Sequence, residues 1–291
     1  PTDGPIGFVT ASHSVGILPG FLPGLPATIT EDLSLGGWFQ KLTGNVPLPE
    51  VTRTEETIAG CTVVTIESTQ TVSPDDPPPS VVNYDPGDPG VADNGSVNVD
   101  LVRESAQGFE SFAPQGDPLA LGFDAGQTIE FSWPGGDDID PFSDTIAVPP
   151  AVEITTPDLE STSFDVDPGD AVSVEWVPGA DEDGKIAIEL FTSITEFLQE
   201  QDGSSTINVD SVTVQCLFTD SAGSGTVPGA ATARLQAAAS LPLIYSKSFA
   251  ALRSNSKSVG VTAPTAGGSR SVLFSGTSSV TRSLAAAFPF P

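Results

Sequence analysis

Methionine is absent from all 291 residues, histidine occurs once, cysteine twice, and only 10 Lys and Arg stand against 38 Asp and Glu. Each shortage excludes something. A formal net charge of −28 repels phosphate backbones and anionic lipid headgroups, so nucleic acid and membrane surfaces are poor expectations. With one histidine in the chain the two cysteines do not look like zinc ligands, since a zinc site needs three or four Cys, His or carboxylate ligands at characteristic spacing. No run approaches the ~20 consecutive apolar residues of a spanning helix. Lacking methionine even at Pro1, the chain is expected to be a mature form that begins after a cleavage.

What the chain has is β character. Gly and Pro number 29 and 27, and 38% of residues are hydrophobic, enough to build a core. Residues 62–68, 96–102, 128–133, 152–156, 171–176, 185–191 and 211–218 alternate apolar and polar, as in Val172, Val174 and Trp176 against Ser173 and Glu175. One covered and one wet face is the antiparallel pattern, and seven such strands favour an Ig-like β-sandwich over residues 58–240. Pro19, Pro23 and Pro26 break the apolar segment before it, so residues 1–57 form an arm whose pieces IGFVTAS and SVGIL suit short extended strands. Residues 29–42 offer a Thr30 cap and an acidic first turn, which predict a short helical turn. The Pro-rich run 73–81 reads as a stiff link, and 229–241 as a short Ala-rich helix.

Two segments echo one another. Asp124, Gly126, Ile129, Phe131 and Trp133 correspond to Asp167, Gly169, Val172, Val174 and Trp176, each followed by Pro, Gly and acids. A turn, a strand with an aromatic anchor and a Pro/Gly exit explain both copies. They are either equivalent strands of one sandwich or the mark of a duplicated half.

Cys61 and Cys216 lie in separate strand-like runs. A disulfide between them would close a loop of 155 residues, and two separate buried thiols are the alternative.

The stretch GQTIEFSWPGGDD, the strand AVSVEW and the run VTVQCLFTDSAGSGTVPGAATARL together resemble uncharacterised secreted β-rich proteins of delta-class, myxobacteria-like bacteria. The resemblance covers residues 58–240. It implies a β-sandwich and a location outside the inner membrane, and carries no activity.

No constellation of catalytic groups stands out. His13 has no acid within ten residues except Asp3, and neither a nucleophile elbow nor a phosphate-binding glycine loop occurs. No catalytic residue and no enzyme activity are assigned. Acidic turns offer hard oxygen ligands, which makes Asp137, Asp138, Asp140, Asp181 and Asp183 calcium candidates. Ordinary solvated turns are the competing and favoured explanation, because none of these runs fits an EF-hand loop. Trp133 and Trp176 read as core anchors, and Trp38, beside Phe39, as the better contact residue.

Charge divides the chain. Residues 1–220 hold all 38 acids and four bases, −34, whereas residues 221–291 hold six bases and no acid, +6. The expected function is an extracellular structural subunit of a surface fibre or matrix that associates with itself. Strand addition by the arm, with Ile6, Phe8, Val15, Ile17, Phe21 and Leu22 filling a neighbour's core, would join subunits. The basic Ser/Thr/Ala-rich β segment 241–291 would pack on its own or a neighbouring subunit. The alternative is a secreted, cell-surface adhesin that holds sugar or protein, with calcium as an optional stabiliser.

Overall fold

The computed structural model describes residues 5–18, 27–43, 49–72, 80–106, 108–161, 164–179, 184–199, 203–237, 244–263 and 268–287. The chain opens with β1 (Gly7–Leu18), β2 (Thr28–Thr43), β3 (Glu50–Ile58), β4 (Cys61–Val72), β5 (Ser80–Asn83) and β6 (Gly90–Asp93). There follow β7 (Asn98–Ala106), β8 (Phe109–Pro114), β9 (Thr128–Trp133), β10 (Phe142–Ala147), β11 (Ile154–Thr156) and β12 (Val172–Trp176). Then come β13 (Lys185–Gln199), β14 (Ser205–Thr219), β15 (Ser224–Val227), the single helical turn α1 (Gly229–Thr232), β16 (Ile244–Ala263) and β17 (Gly268–Ala287). The chain is all-β and sandwich-like, as its alternation predicts.

One sheet of 14 strands runs in the order β10-β9-β6-β7-β8-β2-β1-β17-β16-β13-β14-β4-β3, with β5 alongside β2. A second sheet, β11-β12-β15, packs against it. The large sheet is not purely antiparallel, because β1 lies parallel to β17. Residues 1–57, 58–240 and 241–291 all contribute strands to it.

All seven predicted strands are present, several of them longer; β13 and β14 extend as a hairpin to Gln199 and Ser205. The predicted turn of helix over 29–42 is a correction. That segment is the strand β2, in which Leu33, Leu35 and Phe39 alternate into the core. Its Gly36 permits a close crossing, since a Cβ there would strike the Phe112 carbonyl of β8. Only one turn of the Ala-rich helix forms, and residues 238–241 lie outside the described residues. The link 73–79 lies outside them too, while Ser80 and Val81 already belong to β5.

A long hairpin is the spine. On β17 Val272, Phe274, Ser278, Val280 and Arg282 are buried, and on β16 Tyr245, Lys247, Phe249, Ala251, Arg253, Val261 and Ala263. All share one face of the sheet. This inner face is covered along its length by two cores. Phe274, Val272 and Val261 join Trp133, Phe131, Phe39 and Phe112 in one. Phe249, Ala251 and Val280 join Trp176, Cys61, Cys216 and Leu190 in the other.

The echoed segments therefore anchor different cores: Trp133 of β9 sits in the first and Trp176 of β12 in the second. Both enter from a turn whose glycine has positive φ, 81° at Gly126 and 96° at Gly169, where a side chain would be strained. Their indoles differ in detail. Trp176 donates Nε1–H to the Asp220 carbonyl at 2.8 Å, whereas Trp133 is held by aromatic rings, with Phe39 5.1 Å and Phe142 5.4 Å away between centroids.

Candidate functional site

The two cores meet at a polar seam. On β1 the inner face reads Val9, Ala11, His13, Val15, Ile17, passing from the first core to the second through the one histidine. β17 contributes Ser278 and β16 contributes Arg253, paired in register with each other.

His13 is buried, with its Nδ1 3.2 Å from Ser278 Oγ and its Nε2 2.8 Å from Glu31 Oε1. A carboxylate only accepts, so Nε2–H donates to Glu31, and Nδ1 shares a hydrogen bond with the Ser278 hydroxyl. The order acid, histidine, serine is that of an acyl-transfer triad. Its exposure is inverted. A working nucleophile faces substrate over a buried, orienting acid, yet here Ser278 is 0% exposed and the Glu31 side chain 56%. No substrate carbonyl reaches Ser278 in this arrangement, and the set binds β1 to β17 and β2.

Next to it lies a buried ion pair. Arg253 donates Nε–H to Asp220 Oδ2 at 2.8 Å and Nη2–H to Oδ1 at 2.9 Å, a bidentate fork. The remaining guanidinium hydrogens reach the carbonyls of Ala151 at 2.7 Å and Val177 at 2.6 Å. The Gly179 amide donates to Asp220 Oδ2 at 3.1 Å, and the Asp220 amide to the Gly184 carbonyl at 2.9 Å. One guanidinium thus ties the spine to two crossing segments and to the 3₁₀ turn Asp220–Ala222 that follows β14. The cleft over this pair, lined by Pro149, Pro150, Lys185 and Asn255 among others, holds about 80 Å³. Small-molecule sites take roughly 300–1,000 Å³, so this cleft does not fit one.

Three bases of the C-terminal stretch, Lys247, Arg253 and Arg282, are buried, and others pair with acids of the same chain. Lys247 pairs with Asp165 and donates to the Val166 carbonyl at 3.0 Å, Lys257 pairs with Asp144, and Arg234 bonds Glu56 at 3.0 Å. Arg282 is buried, donates to the Leu159 carbonyl and stacks over Phe164 at 5.3 Å. Burial pushes its guanidinium below the usual arginine range, against the pull of Asp158 and Asp165. The basic end therefore meets acids and carbonyls of its own chain. With Arg253 and Asp220 shielded from water, salt screens that pair little.

The proposed arm residues are placed within the chain. Ile6 is buried in the first core and Ile17 in the second, Val15 packs against the second, and Phe8 stacks on Trp38 with centroids 5.3 Å apart. The premise that the arm lacks a local partner is corrected: β1 lies between β2 and β17 with every residue paired to one or both. Phe21 and Leu22 lie outside the described residues.

Of the calcium candidates, Asp181 and Asp183 lie outside the described residues. Asp138 accepts from the Asp85 amide at 2.8 Å, while the Asp137 and Asp140 amides donate to Asp85 Oδ2 and the Thr262 carbonyl. These acids shape a turn around Asp85. Among the described residues no three His, Cys, Asp or Glu side chains gather as a metal site.

Asp85 itself is a linchpin of the first core's rim. Burial raises its carboxyl pKa, but hydrogen bonds from Arg103 and from the Gly87 and Asp137 amides outweigh that and hold it below the ordinary value. Asp144 is likewise held low, chiefly by its hydrogen bond from Lys257. A depressed carboxyl stabilises the fold above its unfolded pKa, near 3.9, and the contribution disappears as pH falls through the folded value. Acid titration of thermal stability should therefore show a loss beginning below about pH 4. Asp85→Asn should flatten it, and an acid limb unchanged by that substitution would contradict the assignment.

Cys61 and Cys216 are bonded to each other, adjoining the β4/β14 ladder, which closes one of the two alternatives left by the sequence. The Arg253–Asp220 pair was not foreseen. A signal for it existed, because Tyr245, Lys247, Phe249, Ala251 and Arg253 share one parity, which places both bases on the core face.

Among the described residues no helix is long and apolar enough to cross a membrane. No protein-family model, curated protein or solved structure matches the chain.

Proposed function

We propose that the chain is an extracellular structural protein, a subunit of a surface fibre or matrix. One observation carries the reading: a set of charged and polar side chains is buried and used as internal fastening. Asp220, Arg253, Lys247, Arg282, His13 and Ser278 are all buried and spend their hydrogen bonds on joining strands and loops. An interior used in this way supports rigidity rather than turnover. A buried disulfide fits the same role and an oxidising compartment.

Assembly does not draw on the arm in its paired state. Releasing β1 to a neighbour would first break its ladders to β2 and β17 and empty Ile6, Val9, Ala11 and Ile17 from two cores. The test is microscopy and fractionation of native surface material. Ordered particles or fibres that contain this chain are expected, and a chain recovered only as a dispersed monomer would overturn the reading.

A binding module of adhesin type is the second reading, favoured by the stacked Phe8 and Trp38 pair on the sheet face opposite the cores. Such rings suit a sugar face. A glycan screen in which binding vanishes with Trp38→Ala would select this reading over the first.

A further inference from the structure

We propose that the uncovered outer face of the large sheet, across β1, β17, β16, β13, β14, β4 and β3, seats the same face of a second copy. The inference rests on the structural reading above and names the surface through which copies meet.

The first support is charge. In these seven strands the described outer-face residues carry only Lys185, Glu189, Arg53 and Glu55, and their formal charges cancel. Arg53 bonds Glu55 at 3.0 Å, and Gln215 donates to Glu189. Much of the rest is Ser, Thr, Ala or Gly, as in Ser12, Thr277, Ser254, Ser256 and Ser211. The whole chain carries −28. A second copy meets repulsion wherever acids crowd the surface, and least on a broad neutral face.

Exposure points to the same face. Among the described residues the four most exposed large apolar side chains are Leu217 at 62%, Phe197 at 61%, Val51 at 53% and Leu18 at 51%. By strand alternation all four lie on this face, whereas on the inner face the two cores cover the middle of the sheet and leave Ile29 and Leu198 comparably exposed near strand ends. Apolar side chains gathered on one bare face mark a surface that another protein covers.

Size is sufficient. Seven strands about 4.8 Å apart span about 29 Å, and about ten residues along them span about 33 Å. The resulting patch of roughly 900 Å² matches the ~800 Å² per partner of a stable interface. Edges are less suited: the border strand β3 is exposed through Thr57 and carries Glu50, Glu55 and Glu56. Charged edges oppose strand-to-strand addition. Two copies therefore meet face to face, about 10 Å apart and crossed by about 30°, related by a twofold axis.

Sedimentation of the full chain and of Ser256→Glu and Leu217→Glu tests this, since both positions are exposed and tolerate a charge. The parent should sediment at twice 29.8 kDa. Each variant should keep its melting temperature and bind itself at least about tenfold more weakly. Added salt should tighten the parent dimer by screening its remaining repulsion. A parent that stays monomeric at high concentration and raised salt, or variants that dimerise as well as the parent, would overturn the proposal. If the glutamate variants misfold, Ser256→Cys serves instead: its labelling by a maleimide should slow about tenfold as dimers form, and a constant rate refutes the interface. Larger assemblies that admit both glutamate variants unchanged would leave the structural reading standing without this interface. Absence of any self-association would remove both.

Discussion

Replacing Cys61 and Cys216 together by alanine is expected to cost the fold up to about 5 kcal/mol, the largest loss from any single feature. The bond spans 155 residues and joins β4 to β14, so without it the unfolded chain regains the freedom of a very long loop. Domains hold only about 5–15 kcal/mol in total, so this loss moves the urea midpoint far down or abolishes the transition. Both sulfurs sit in the second core, and the alanines leave a small cavity that adds to the entropic term. Equilibrium unfolding of the parent with and without reductant, beside the double variant, measures it. A change below about 1 kcal/mol would mean that the unfolded state was already restricted, contrary to the account.

The second large effect belongs to the buried ion pair. Asp220→Ala should destabilise by about 3–5 kcal/mol, because Arg253 would keep its charge in a site where its side chain is only 5% exposed. Arg253→Met should cost a similar amount for a different reason. It strands the Asp220 carboxylate and leaves the carbonyls of Ala151 and Val177 without their donor. Removing both partners should cost clearly less than the sum of the single losses. Urea unfolding of the four proteins as a double-mutant cycle reads the coupling directly. Additive losses would show that the two side chains act separately and that the seam is not held as one unit.

Much of this architecture is legible in the sequence, and the gaps have causes. Alternation located seven of the twelve strands β4 to β15, because a sheet with one covered face must write a period of two into its residues, and it missed β5, β6, β8, β10 and β15, whose four to six residues are too few to show that period. The anchors Trp133 and Trp176 followed from the echo. Segment 29–42 misled because Thr30, Glu31 and Asp32 look like a capped first turn. The actual register is decided by β1 and β8, which lie far away along the chain. Local propensity loses to such pairing.

The seam was half visible. Parity placed Lys247 and Arg253 with core residues, but nothing local shows that Asp220, just after the distant β14, lies beside Arg253. The charge division was plain in the sequence, yet its meaning turned around. A basic end beside an acidic body suggested contact between subunits, and the contacts present are within one chain. What that leaves on the outside is a face nearly bare of charge, which only the register of long strands reveals.

The central claim is that the N-terminal strand is an interior strand of its own chain. Hydrogen exchange of β1 amides, followed at concentrations low enough to keep the protein monomeric, tests it most directly. Protection of residues 7–18 matching that of the Phe249–Arg253 stretch of β16, and independent of concentration, is the predicted result. Rapid exchange of those amides in the monomer, with protection gained only as copies associate, would contradict it and return the arm to a neighbour's sheet.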